Sequence, residues 1–247
     1  MEFRLGGSRL SKSMSEYGTD SENSSGDRIR SILQQIGVTG TVDVGGGSGH
    51  GKDIKVNVGA QEIIFENKRT GGSRIDYKQF RMKISDGGVV QHTMNDNSTI
   101  SGIFDSKVKD TLDKILRVSD SNYPIGPKLT ESQGWDFWNE FGGDYSPSSG
   151  GKPSGDVYRC SISPDELQEV LRVAGNDYII IGQQVFALFS GAVIDEFRDY
   201  IVDPYVLFRL KYHKADDISY TLTFRASSIK DSGQDFDEQI IKIIESL

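Results

Sequence analysis

The chain has 247 residues, 28 Lys plus Arg against 36 Asp plus Glu, and a formal net charge of -8. That length supports a substantial core, as one large domain or two small ones. With 36% hydrophobic and 26% charged residues, a wholly disordered chain, a collagen and a coiled-coil rod are excluded. The acidic balance excludes a globally basic nucleic-acid coat but allows a local basic surface. Cys160 is the single cysteine, so an internal disulfide is impossible, a Cys-rich zinc module is disfavoured, and a reducing compartment fits. The longest apolar stretch, Tyr178 to Ile194, is broken by Gly182, Gln183, Gln184, Ser190 and Gly191. It reads as buried strand and turn, because a spanning helix needs about 20 mostly apolar residues. The N-terminus carries no charged-then-apolar leader pattern, so an intracellular, cytoplasmic protein without a membrane partner is expected.

Residues 1–25 are polar and rich in Ser and Gly, and are expected to be a disordered arm. From Gly26, Ile29, Ile32, Leu33 and Ile36 follow the i, i+3, i+4, i+7 spacing of an amphipathic helix that Gly37 stops. Asp27 lies in its first turn. A short strand is expected over Gly40 to Val44, followed by the glycine loop GGGSGHG. In DIKVNV and EIIFENK, apolar and polar residues alternate around Gly59, which predicts a β-hairpin. Pairing Val58 with Ile63 and Val56 with Phe65 puts the apolar side chains on one face. It also sets Asp53 opposite Lys68 and Lys55 opposite Glu66. Asp53, Glu66 and Lys68 then share the other face, at one end of the hairpin.

Farther along, the basic stretch Arg69 to Lys83 is expected to turn helical near Tyr77, and Phe104 to Val118 reads as a helix. Residues 142–156 read as a long Gly/Ser/Pro loop. SPDELQEVLRVAG carries Ser163 as N-cap, Pro164 at the first helical position and Glu166 at the capping-box position. A buried strand over Asp177 to Ile181, β-rich runs over Tyr205 to His213 and Ile218 to Arg225, and a helix over Phe236 to Ser246 follow.

Two carboxylates on neighbouring strands repel unless a cation sits between them. Their oxygens suit a hard divalent cation such as Mg²⁺ (or Mn²⁺), and the backbone carbonyl of Asn67 is a further candidate ligand. An adjacent Lys can orient or help deprotonate an attacking water, or offset phosphoryl charge, which is the chemistry of phosphodiester hydrolysis. Asp53, followed by Glu66-Asn67-Lys68, resembles the motif of the PD-(D/E)XK nuclease superfamily, which includes many restriction enzymes. Lys52 stands where the family's name has proline.

The resemblance implies a restriction-endonuclease-like α/β fold. Its αβββαβ core has a mixed central sheet flanked by helices, here over residues 26–247 with an insertion at about 86–155. It also implies a Mg²⁺-dependent endonuclease in which Asp53 and Glu66 ligate metal and Lys68 is the catalytic lysine. Asp27 would match an additional acid carried by some members. Between His50 and Lys83 there are eight basic and four acidic residues, a local +4 that leaves -12 for the remainder. A basic window at the proposed site suits a polyanionic substrate. Lys52, Arg69, Arg74, Lys78, Gln79 and Arg81 are the nucleic-acid-binding candidates. DNA is the expected partner, RNA is the alternative polynucleotide, and a homodimer is allowed.

Three other readings compete. The charged trio is also what a solvated strand face with cross-strand ion pairs looks like. A non-catalytic nucleic-acid- or protein-binding module could keep a nuclease-like fold. VDVGGGSGH looks like the glycine motif of S-adenosylmethionine-dependent methyltransferases, but that motif needs a helix after the glycines. His50, three residues before Asp53, allows a ligand or general-base role but reads first as an inert loop histidine, and His92 and His213 are isolated. Trp135, Phe137 and Trp138 read as a packed aromatic cluster and Cys160 as a structural thiol.

Overall fold

The computed structural model describes residues 14–45, 53–68, 75–84, 90–92, 102–103, 106, 130–141, 151–152, 155–214 and 217–247. The fold is mixed α/β. The chain divides into two compact units. The first comprises residues 1–70, 177–185 and 234–247, and the second comprises residues 71–176 and 186–233.

In the first unit, helix α1 runs from Met14 to Gln35. It begins well before Gly26, so residues 14–25 are helix rather than arm. Ile29, Ile32 and Leu33 are buried at 3% exposure or less, as the periodicity requires. Strands β1 (Gly40–Val44), β2 (Ile54–Val58) and β3 (Gln61–Lys68) form an antiparallel meander. β7 (Tyr178–Ile181) adds parallel to β3, and β8 (Gln184–Ala187) follows at the sheet edge. The sheet is therefore mixed. Val42, Ile54, Val56, Ile63 and Phe65 share its buried face. Gly26 lies so close to Val42 and Val44 that a Cβ there would collide with Val44 Cγ2. This locates α1 on that face.

The hairpin register differs from the expected one by two residues. Val58 pairs with Gln61 and Val56 with Ile63, so Ile54 pairs with Phe65. The cause is the turn. Gly59 has φ 59°, and Gly59-Ala60 makes a two-residue connection with positive φ at its first position, as in a type II′ turn. The expected register needs a four-residue loop. A two-residue shift preserves side-chain parity, so the apolar and charged faces survive, but each cross-strand partner changes. Lys55 now faces Ile64 and forms an ion pair with Glu62 rather than Glu66.

The closing helix of this unit, Phe236–Glu245, is capped by Asp235, whose side chain accepts from the Asp237 and Glu238 amides. Its Gln239 is fully buried. Gln239 accepts from the Val185 amide at 2.9 Å and donates to the Val185 carbonyl at 2.7 Å, extending the ladder of the β8 edge. Arg28 joins α1 to this helix through an ion pair with Asp237 at 2.5 Å and a cation–π contact with Phe236 at 4.5 Å.

The second unit holds an antiparallel sheet of β4 (Ile75–Ile84), β5 (Val90–His92), β6 (Gly155–Ser161), β9 (Ile201–Lys214) and β10 (Asp217–Ile229), in the order β5-β4-β10-β9-β6. The segment near Tyr77, expected to be helical, is strand. Tyr77 is 1% exposed and packs edge-on against Phe197 at 5.4 Å, so sheet pairing and aromatic packing override local polarity. This unit also holds helices α2 (Glu131–Phe141) and α3 (Pro164–Val173), and Phe236–Glu245 is α4 in chain order. The Ser163 capping box forms as predicted, with Pro164 in the first turn. On β10, Tyr220, Leu222 and Phe224 alternate with Ser219, Thr221 and Thr223, yet both sets are buried. Apart from Ser106, the expected helix over Phe104 to Val118 lies outside the described residues, as does most of the loop at 142–156. Among the described residues, no helix is long and apolar enough to cross a membrane.

Candidate metal and phosphodiester site

At the open end of the β2–β3 hairpin, continuing the register sets Asp53 opposite Glu66 rather than Lys68. Glu66 and Lys68 share one face of β3, and Asp53, just before β2, reaches the backbone between them. Asp53 Oδ2 accepts the Asn67 backbone N–H at 2.9 Å, which fixes the carboxylate across the strand pair. Lys68 Nζ and Glu66 Oε1 form an ion pair at 2.5 Å. Glu66 is 6% exposed and the Lys68 side chain 20%. Such burial does not fit a solvated strand face, where paired charges contribute little. Asp53 and Lys68 keep partial access to solvent.

Asn67 is 7% exposed, and its side chain turns toward α1. Ser25 Oγ donates to Asn67 Oδ1 at 3.3 Å, and Asn67 Nδ2 donates to Ser21 Oγ at 3.2 Å. These two bonds pin the N-terminal half of α1 to β3. They also bring in a residue that sequence reasoning missed. Glu22 stands beside the cluster, its Oε2 sealed from solvent and without a hydrogen-bond partner. Burial, then the charge of Asp53, raises its pKa from about 4.5 to about 7, with Glu66 adding to the rise and Lys68 opposing it. For Lys68, burial favours the neutral amine, but the Glu66, Asp53 and Glu22 carboxylates outweigh it and hold the ammonium above its ordinary range. A signal for Glu22 existed. It lies seven residues before Ile29, so the buried helical stripe extends back onto a carboxylate.

Asp27, predicted as the additional acid, does not join this group. Its side chain is 73% exposed and pairs with Arg30 at 2.5 Å, one turn along α1. The helix face decides this, because Asp27 is five residues from Glu22 and falls off its stripe. Of the nucleic-acid candidates, Lys52, Arg69 and Arg74 lie outside the described residues, as does His50. Lys78 and Gln79 belong to β4 in the second unit. Successive residues of a strand face opposite sides, so Lys78 and Gln79 cannot serve one surface together. Gln79 Oε1 accepts from Lys211 Nζ at 3.0 Å. Arg81 sits opposite Thr221 in the β4–β10 register. Cys160 is half-buried, and its Sγ donates to the Ser161 carbonyl at 3.5 Å.

Asp53 and Glu66 are the hard oxygen donors that a divalent cation would use, and Glu22, with a sealed and unpartnered oxygen, feels their charge. As the side chains stand, Lys68 serves as the counter-charge. Among the described residues, no three His, Cys, Asp or Glu side chains are grouped closely enough to hold an ion. Comparison of the chain with protein-family models, with curated proteins and with solved structures finds no match.

Proposed function

We propose that the protein is a metal-dependent nuclease that hydrolyses DNA phosphodiester bonds, of the restriction-endonuclease-like kind. The observation that carries this reading is the half-buried Lys68–Glu66 ion pair with the Asp53 carboxylate fixed on the intervening Asn67 amide, at one end of a hairpin and within the field of the buried Glu22 oxygen. Buried like charges are costly to keep, so such a cluster points to chemistry rather than to stability. The chain order α1-β1-β2-β3 and the parallel pairing of β7 with β3 support this reading.

Asp53, Glu66 and the Asn67 backbone carbonyl are the proposed holders of Mg²⁺ or Mn²⁺, and Glu22 replaces Asp27 as the additional acid. The ion would supply Lewis-acid polarisation of the scissile phosphate and acidify an attacking water. The chain's own groups do the rest. The Asn67 amide orients Asp53, and Asn67 itself is braced by Ser21 and Ser25. Lys68, held protonated by its acidic neighbours, acts as a fixed positive charge for the developing phosphoryl oxyanion.

With Mg²⁺ or Mn²⁺, purified protein should nick or degrade DNA. Asp53→Ala and Lys68→Ala should each abolish this while circular dichroism still reports a folded chain at the assay temperature. Equal cutting by wild type and both variants would sink the proposal. The Lys68–Glu66 ion pair, which engages one of the proposed metal ligands, favours a second reading as a non-catalytic binding module. That reading gains if no DNA or RNA form is cut. The methyltransferase alternative loses its footing at β2. The segment after the glycines enters a strand antiparallel to β1, not the helix that motif needs. Calorimetric binding of S-adenosylmethionine would restore it.

A further inference from the structure

A second feature, wholly within the second unit, is a groove of about 530 Å³. It is lined by Arg159 and Ser161 at the end of β6, by Ile201 to Pro204 at the start of β9, and by Lys230 just past β10. Its floor is apolar, with Ile162 and Ile201 6% exposed or less and Pro204 buried. Its rim is charged, with Arg159, Asp203 and Lys230 all exposed.

Two details show a built arrangement. The Arg159 guanidinium stacks on the buried Tyr205 ring at 3.6 Å, which fixes its plane and leaves its N–H edge available. Asp203 has φ 45°, the single positive-φ non-glycine residue among the described ones, and it precedes Pro204, which favours extended backbone. A strained conformation that turns a carboxylate outward, inside a strand, is a pointer to what that side chain contacts. Lys230 Nζ is steadied by the Asp199 carbonyl at 3.4 Å.

We propose that this groove holds one nucleotide of a DNA strand, its base on the apolar floor, its phosphate between Arg159 and Lys230, and a base amine donating to Asp203. Each part meets its chemical complement. A guanidinium with a fixed plane and an ammonium suit phosphate oxygens. A carboxylate accepts from the exocyclic amine of cytosine, guanine or adenine, a group that thymine lacks. The choice of a DNA strand over a free nucleotide rests on the nuclease reading, but the recognition chemistry does not.

The test is fluorescence anisotropy with labelled oligonucleotides in EDTA, using full-length Lys68→Ala protein so that cleavage is removed. Arg159→Ala and Lys230→Ala should each weaken binding of every sequence and lower the salt slope by about 1. Asp203→Asn, which keeps a residue tolerant of positive φ, should reduce the preference for C- or G-containing over oligo-T strands by about fivefold or more. Competition by free nucleoside monophosphates separates the two sources, and strong competition would make the groove an effector site of the same chemistry. The proposal is overturned if the three variants, melting like the parent, bind as the parent does. It is equally overturned if the parent binds neither oligonucleotide nor mononucleotide, or if polyglutamate competes as well as DNA at equal charge. Metal-dependent cutting by wild type alongside unaffected groove variants would leave the nuclease reading standing and remove only the groove. Groove-dependent binding without cutting would do the reverse.

Discussion

Replacing Glu22 by Gln should stabilise the protein, and only above mildly acidic pH. In the folded chain the Glu22 pKa rises from about 4.5 to about 7, through burial first and the Asp53 charge second. An acid with a raised folded pKa keeps its proton longer folded than unfolded. Stability from this group is therefore greatest below about pH 4.5, falls as pH climbs to about 7, and stays low beyond. At full burial the rise is equivalent to about 3 kcal/mol. Glu22 is half-buried, and screening by solvent reduces this to about 1–2 kcal/mol. Gln keeps the shape and removes the charge. In EDTA at pH 8, Glu22→Gln should thus melt roughly 2–8 °C above wild type, and the gap should close near pH 4.5. Added Mg²⁺ should raise the wild-type midpoint at pH 8 more than the variant's, because a ligand stabilises only the state that binds it. Thermal melts followed by circular dichroism across this pH range decide the matter. A variant that melts at or below wild type at pH 8, or a difference independent of pH, refutes the argument.

Two further outcomes follow from packing. Gln239→Ala orphans the buried Val185 amide and carbonyl, each costing about 1–3 kcal/mol; a loss under about 1 kcal/mol in urea unfolding would show that these bonds are replaceable. Gly26→Ala should destabilise, although Ala normally gains about 1 kcal/mol over Gly inside a helix, because the new methyl meets Val44. A higher unfolding midpoint for Gly26→Ala would mean that α1 does not lie so close to β1.

Much of the first unit is legible from periodicity and punctuation. The stripe Ile29-Ile32-Leu33 forms its helix, Gly59 its hairpin, and Ser163-Pro164-Glu166 its cap, because each signal is local and physically redundant. What failed was non-local or masked by composition. The register moved by two because turn length, not apolar matching alone, sets pairing, and both registers satisfy the face rule equally. Met14 to Ser25 reads as an arm because Ser, Gly and Asn are poor helix formers. Asn67, forty-odd residues away, supplies the side-chain bonds to Ser21 and Ser25 that help hold it. Tyr77 was misjudged for the same reason, as its partner Phe197 is remote in sequence. Thr221 and Thr223 carry the alternation of a wet strand face and are nonetheless buried, so polarity alone does not report exposure in a central strand.

The first unit is stitched from three separated stretches of chain, so the polypeptide leaves it after β3, returns for β7 and leaves again before α4. The acids of the hairpin are synthesised early, yet the helix that braces α1 and caps the β8 edge must wait for residues 234–247. A ribosome-bound intermediate thus carries Asp53, Glu66 and Lys68 on an unfinished scaffold. If the nuclease proposal holds, this delay would keep the emerging chain harmless to nearby polynucleotides until assembly is complete.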